Sequence, residues 1–182
     1  PVEKKKVIFA PHHSIANNPL SLSNFIEYAD FFLRLSKEYR DHIQWSFKPH
    51  PLLKEKLYLH SDWGEKKTDD YFNFWASSDH TQLDEGEYAD LFLQSDAIIH
   101  DSSSFIVEYL FVRKPCLYLV SNESQLELIN EFGRKALQAY RLADNVQKIS
   151  GFLESLVFEE CKLKNEHFQF VKEEVASLYS SK

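Results

Sequence analysis

Short, almost uninterrupted apolar runs alternate along this chain with longer stretches in which apolar residues recur every three or four positions. Residues 6–10, 42–47, 97–100 and 115–120 are the short runs, bounded by proline or polar residues, and they predict strands. Between them, residues 23–39 place Phe25, Ile26, Ala29, Phe32, Leu33 and Leu35 on one helical face, with Ser21 or Ser23 available as a cap. Residues 52–59, 87–94 and 105–112 predict shorter helices, the second with Tyr88, Leu91 and Phe92 inward. Residues 61–86 show the weakest pattern, with a helix predicted only over 71–77, where Phe72, Phe74 and Trp75 face inward. From residue 123 the pattern is mainly helical, over about 123–132, 135–140, 145–158 and 160–179.

Strands that are apolar throughout, rather than alternating, are buried on both faces. Separated by helices, they predict a parallel sheet covered on each side, the doubly wound Rossmann-like α/β class. A single domain over residues 1–182 is expected, with an α/β core to about 122 and a helical tail over 123–182. In such folds ligands bind beyond the carboxyl ends of the strands, where the strand order reverses.

Composition narrows the function. A net charge of −7 argues against a sequence-independent grip on nucleic acid, which needs a broad basic face. The two cysteines, Cys116 and Cys161, form no disulfide framework; Cys116 lies in an apolar run and reads as a buried thiol, consistent with a reducing cytoplasm. No run approaches the ~20 apolar residues of a membrane span, and no signal-like segment is present. Peripheral contact at the inner face of a membrane stays open. The chain starts at Pro1 and holds no methionine, so a missing upstream part is expected. It has only four glycines, and no glycine-rich phosphate loop.

The strand ends carry the candidate chemistry. The first strand ends in Pro11-His12-His13-Ser14, the second in Lys48-Pro49-His50-Pro51, the third in His100-Asp101-Ser102-Ser103-Ser104 and the last in Ser121-Asn122-Glu123. Four of the eight histidines fall there. Ser102, Ser103 and Ser104 put hydroxyls and unpaired amides at a helix start, which suits a phosphate, although Asp and Ser are also ordinary caps. Glu108 lies one helical turn beyond Ser104, placed for ribose hydroxyls or simply solvated. Lys48 could neutralise a phosphate or stay solvated. Arg113 and Lys114 close a helix whose dipole favours cations anyway. No local His or Cys spacing of a zinc site is present, so no metal is expected.

These residues resemble the C-terminal half of the CDP-glycerol:poly(glycerophosphate) glycerophosphotransferases. More distantly, they are similar to the donor-binding half of GT-B glycosyltransferases and of non-hydrolysing UDP-sugar epimerases. The family's aspartate–aromatic–serine–serine turn resembles Asp101-Ser102-Ser103-Ser104, with Ser102 in place of the aromatic residue. Its acidic residue one turn on matches Glu108, its basic residue and proline before the last strand match Lys114-Pro115, and its histidine–proline pair matches His50-Pro51. Ala10-Pro11-His12 resembles the loop after its first strand.

The resemblance implies the donor-binding half of a two-domain transferase, with the N-terminal domain of the same chain as partner and no cofactor beyond the nucleotide donor. His50 would act on the phosphates or at the transfer centre. His12, His13, Lys48, Ser102, Ser103, Ser104, Glu108 and Lys114 would bind the donor. The expected reaction moves glycerol phosphate, or a related group, from a CDP-activated donor to a hydroxyl of a lipid-linked or polymeric acceptor, as in teichoic acid or capsule synthesis. Two alternatives stand beside it: a UDP-sugar-dependent GT-B glycosyltransferase or epimerase domain, and a non-catalytic adaptor docking through its C-terminal helices. Alone, this part of a transferase is expected to bind donor without turnover.

Overall fold

The computed structural model describes residues 3–16, 21–121 and 124–180. In chain order the elements are β1 (Lys5–Ala10), α1 (Phe25–Glu38), β2 (Ile43–Phe47), α2 (Leu53–Tyr58), α3 (Gly64–Ser77), β3 (Thr81–Leu83), α4 (Ala89–Gln94), β4 (Ala97–His100), α5 (Phe105–Leu110), β5 (Cys116–Leu119), α6 (Ser124–Glu127), α7 (Glu131–Leu137), β6 (Arg141–Ala143), α8 (Val146–Phe158) and α9 (Asn165–Ser180). The six strands form one parallel sheet in the order β3-β2-β1-β4-β5-β6. The order reverses between β1 and β4, where the chain crosses from one half of the sheet to the other. This is the doubly wound Rossmann-like arrangement that the alternation predicted.

The strand period of two sorts side chains onto two cores. Val7 and Phe9 of β1 point to the face covered by α1, α2, α3 and α8, while Ile8 and Ala10 point to the face covered by α4, α5, α7 and α9. The first face is built from large rings. Phe9 stacks on Phe32 with centroids 3.8 Å apart, and Phe47 meets Phe72 edge-on at 5.2 Å. Aromatic rings bury much apolar area per residue, and offset or edge-on pairs add to it. Cys116 is a buried free thiol, its pKa pushed up by burial.

Five elements depart, in whole or in part, from the sequence reading. The weakly patterned stretch after residue 60 holds a 14-residue helix, α3, whose Thr68, Tyr71, Phe72 and Trp75 are buried. β3 and β6 are three-residue strands that pattern alone did not reveal; Thr81 pairs with Trp45, and Leu142 with Tyr118. β6 lies beyond residue 122, so the sheet extends into the segment expected to be a helical tail, and α8 and α9 complete the two faces. The helix predicted over 123–132 is two helices: Asn130 begins α7, accepting the Gly133 N–H at 2.8 Å. The predicted 135–140 helix ends at Leu137, ahead of β6. Asn122 and Glu123, named at the end of the last strand, lie outside the described residues.

Candidate functional site

A cavity of about 500 Å³ opens at the carboxyl edge of the sheet beside the point of reversal. The end of β1 and the residue after it contribute Ala10 and Pro11, the loop after β2 contributes Lys48 to Pro51, the loop before α4 contributes Glu85 to Tyr88, and the turn after β4 with the start of α5 contributes Ser102, Ser104 and Phe105. The order of the sheet places β1 between β2 and β4, so loops distant in sequence converge on one edge. The walls are mixed. Three prolines with Tyr88 and Phe105, whose rings are 5.2 Å apart, offer apolar faces, and Lys48, His50 and the serines offer donors.

The serine turn is only partly available to a ligand. The Ser102 N–H is donated to His100 Nδ1 at 3.2 Å, and the Ser102 and Ser104 hydroxyls bond each other at 2.9 Å. Ser102 and Ser104 line the cavity; Ser103 is exposed and does not. Among the described residues, the Ser103 and Ser104 amides have no partner. The helix that follows, α5, has six residues, so the field of its dipole is small and the local hydroxyls and amides matter more. Ser104 begins α5 without capping it through its side chain.

Three histidines meet on the flank of the cavity. The His12 and His13 rings lie 4.2 Å apart, His13 and His50 4.2 Å, and His12 and His50 5.4 Å. One ring nitrogen of each lies within 4.8 Å of the others, a separation that would admit a cation. Hydrogen bonding points to another use. His12 Nδ1 accepts the Ser14 N–H at 3.2 Å, His50 Nδ1 accepts the Leu52 N–H at 3.1 Å, and His13 Nδ1 faces the Lys56 ammonium at 2.7 Å. A nitrogen that accepts from N–H carries no proton, so each neutral ring holds its proton on Nε2 and presents a donor. A metal-binding ring instead donates its second nitrogen to an acceptor. Three N–H donors beside Lys56 suit an anion better than a cation. Burial, with His13, His50 and Lys56 nearby, lowers the His12 pKa to about 4. Burial and Lys56 lower that of His13; burial, His13 and Lys56 lower that of His50.

The remaining expected residues divide. Lys48 is buried, donates its ammonium to the Gly86 carbonyl at 2.5 Å, and lines the cavity, its pKa lowered by burial against the pull of Asp84, Glu87 and Glu85. Glu108 is exposed and outside the cavity lining, but stands beside Tyr88, whose phenol it raises in pKa. Lys114 lies at the opposite edge. It precedes β5, so it sits at the amino ends of the strands near Asp96 and Lys6, and its ammonium binds the Phe92 and Leu93 carbonyls that end α4. Contrary to the sequence reading, Lys114 is not among the residues that line the cavity. His100, the fourth strand-end histidine, is fully buried between Ser102 and Tyr140 and faces no cavity.

Pattern reasoning overlooked Tyr88, Phe105 and Lys56 as parts of this edge, and gave the Asp101 side chain no partner across it. Tyr88 and Phe105 were visible only as apolar positions of helices. Asp101 read as a cap, yet its carboxylate turns back to accept the His12 N–H at 2.7 Å and the Asn24 N–H at 2.6 Å.

With this geometry in view, the relatives can be placed. Solved structures share the fold. UDP-GlcNAc 2-epimerase from Methanocaldococcus jannaschii is 17% identical with a TM-score of 0.59, covering 98% of this chain and 47% of its own. The Neisseria meningitidis enzyme bound to UDP-GlcNAc is 18% identical with a TM-score of 0.56, covering all of this chain and 45% of its own. The wall teichoic acid polymerase TagF is 17% identical with a TM-score of 0.51, covering 99% of this chain and 39% of its own. The chain therefore spans less than half the length of these structures. No curated protein is similar enough to match. The sequence over residues 1–126, which contains every element that forms the cavity, matches one family in full view of these features, and the chain belongs to the CDP-glycerol:poly(glycerophosphate) glycerophosphotransferases.

Proposed function

We propose that this chain is the nucleotide-donor-binding domain of a transferase that moves glycerol phosphate, or a related group, from a CDP-activated donor to a hydroxyl of a cell-surface polymer. The observation that carries the reading is the cavity at the point of strand reversal. It joins serine hydroxyls, a histidine and a buried lysine to apolar walls in a volume suited to a nucleotide. Family membership supports the same chemistry. An acidic chain can take such a donor because the cations and N–H donors are concentrated at one edge.

In this reading Ser102 and Ser104, with the Ser103 and Ser104 amides, hold the donor diphosphate. His50, flanked by His12 and His13, donates Nε2–H to phosphoryl oxygens, and Lys48 supplies charge. Tyr88 and Phe105 face the nucleoside, with Glu108 reaching ribose past Tyr88. An acceptor alkoxide would attack the β-phosphorus; the new O–P bond forms as the bond to the bridging oxygen breaks, and the nucleoside monophosphate leaves with that oxygen. The domain contributes positioning and charge neutralisation, which are the main terms in phosphoryl transfer. A further domain would supply the acceptor and its base, so this domain by itself binds donor without turnover. Among the described residues no helix is long and apolar enough to cross a membrane.

Calorimetry with CDP-glycerol, CDP-ribitol and UDP-GlcNAc tests the reading. Binding of a CDP-alcohol, weakened more than tenfold by Ser102→Ala with Ser104→Ala, is the expected result. Preference for UDP-GlcNAc, the ligand of a structural neighbour, would move the domain to the nucleotide-sugar enzymes. Absence of any nucleotide binding would leave the adaptor reading.

A further inference from the structure

Asp101 is fully buried at the end of β4, and nothing in the donor reading uses its side chain. A carboxylate taken out of water is costly unless hydrogen bonds satisfy it. Here they come from the far side of the sheet reversal. Oδ1 accepts the His12 N–H at 2.7 Å; Oδ2 accepts the Asn24 N–H at 2.6 Å and the Asn24 side-chain amide at 3.3 Å. Asn24 is itself buried at the start of α1. It donates to the Leu119 carbonyl at 3.1 Å and accepts the Ser121 hydroxyl, and so ties in the end of β5. One carboxylate thus joins both ends of the β1–α1 connection to the β4–α5 turn.

We propose that Asp101 is a positioning residue whose carboxylate clamps the histidine loop after β1 against the serine turn after β4, and so sets where the His12 ring stands beside His13 and His50. The inference deepens the donor reading, because the two anion-binding groups of that reading lie on either side of this clamp. Charge-assisted bonds from backbone N–H are short and directional, and they fix a loop better than side-chain contacts at its tip. The groups around the carboxylate are few. His12 and Asn24 come from the β1 side, His100 precedes it on β4, and Tyr118 of β5 donates its hydroxyl to the Asp101 carbonyl at 3.2 Å. Among the described residues no Lys or Arg pairs with it. Burial pushes its carboxyl up to about 6, against the pull of the N–H donors.

Nuclear magnetic resonance of this chain tests the clamp. In the wild type the His12 and Asn24 amide protons should lie far downfield, and both should shift with one midpoint shared with the Asp101 side-chain carbon. Asp101→Asn keeps the size but turns one acceptor into a donor. At least one of the two amide signals should then move upfield, and the His12 ring should titrate well above its wild-type midpoint, which burial holds low. Asp101→Ala should shift it further, toward the ordinary 6.5. A His12 ring titration and amide signals unchanged in Asp101→Asn would overturn the proposal. So would wild-type amides that do not follow the carboxyl, a measurement that needs no folded variant. Inorganic pyrophosphate is the binding probe: Asp101→Asn should weaken it at least fivefold while Asn keeps the fold by circular dichroism. Pyrophosphate that fails to bind the wild type counts against the donor reading alone, since the resonances still decide the clamp.

Discussion

Two groups of histidines occupy the same edge of this sheet and are bonded in different ways. His100 ends β4 inside the protein. Its Nδ1 accepts the Ser102 N–H, and its Nε2 donates to Tyr140, whose hydroxyl continues to the Ile106 carbonyl at 2.9 Å. Every polar atom of that ring has a protein partner, so the ring holds the turn in shape and has nothing left for a ligand. His12, His13 and His50 sit two or three residues past the ends of β1 and β2. Their Nδ1 atoms are occupied, by backbone N–H groups for His12 and His50 and by the Lys56 ammonium for His13, which leaves the Nε2 donors. Position at a strand end therefore does not by itself free a histidine for a ligand; a ring nitrogen without a protein partner is needed as well.

Breaking the buried group should have the largest effect. His100→Ala leaves the Ser102 amide and the Tyr140 hydroxyl without partners and opens a cavity, which should cost about 3 kcal/mol in urea unfolding. His50→Ala should cost under about 1 kcal/mol, yet weaken CDP-glycerol binding roughly tenfold, the affinity equivalent of one lost charge-stabilising donor. If the two variants lost stability equally, the division between the groups would not hold.

The pH dependence sharpens the same comparison. His12 is lowered to about 4 and His100 to about 3, and burial also lowers His13, His50 and His167. The unfolded chain then binds more protons than the folded one below about 6.5, so stability falls as the pH drops from there toward 4. Asp101, raised to about 6, works the other way: the folded state binds its proton first, and stability from that group rises as the pH falls through 6. Melting temperatures at pH 7.5, 6 and 5 should decline.

Two smaller effects complete the series. Zinc ions should leave the melting temperature within about 1 °C of the metal-free value, because the three loop rings present protonated Nε2 atoms; a rise that His13→Ala abolishes would reverse that assignment. Lys114→Ala, at the other edge of the sheet, should change stability by less than about 1 kcal/mol and donor affinity not at all.

Much of the fold was legible because central parallel strands are buried on both faces and leave continuous apolar runs. Residues 6–10, 42–47, 97–100 and 115–120 announced themselves in that way. β3 and β6 did not, since a three-residue strand such as Thr81–Leu83 carries too few positions for a pattern and exists only by pairing with a neighbour. The helix predicted over 71–77 is the second half of α3; its first half, residues 64–70, was hidden by a Lys- and Asp-rich outer face. At the site, the histidine–proline loops and the serine turn were readable as polar residues following buried strands. Lys114 was misplaced because a motif match records order along the chain and not which edge of the sheet a residue reaches.

What the amino-acid order determined by itself is local: where buried strands lie, which faces of the helices are apolar, and which donors follow each strand. These depend on periodicity and on backbone preferences within a few residues. Only the tertiary structure decided which loops meet. Residues 12, 50, 86, 88 and 102 share one cavity rim or its flank because β1 lies between β2 and β4, and that order follows from pairing over tens of residues. The proton positions on the histidines, and the buried bond from Asp101 to the β1 loop, follow in turn from that convergence, since each is set by a partner that only the folded chain brings within reach.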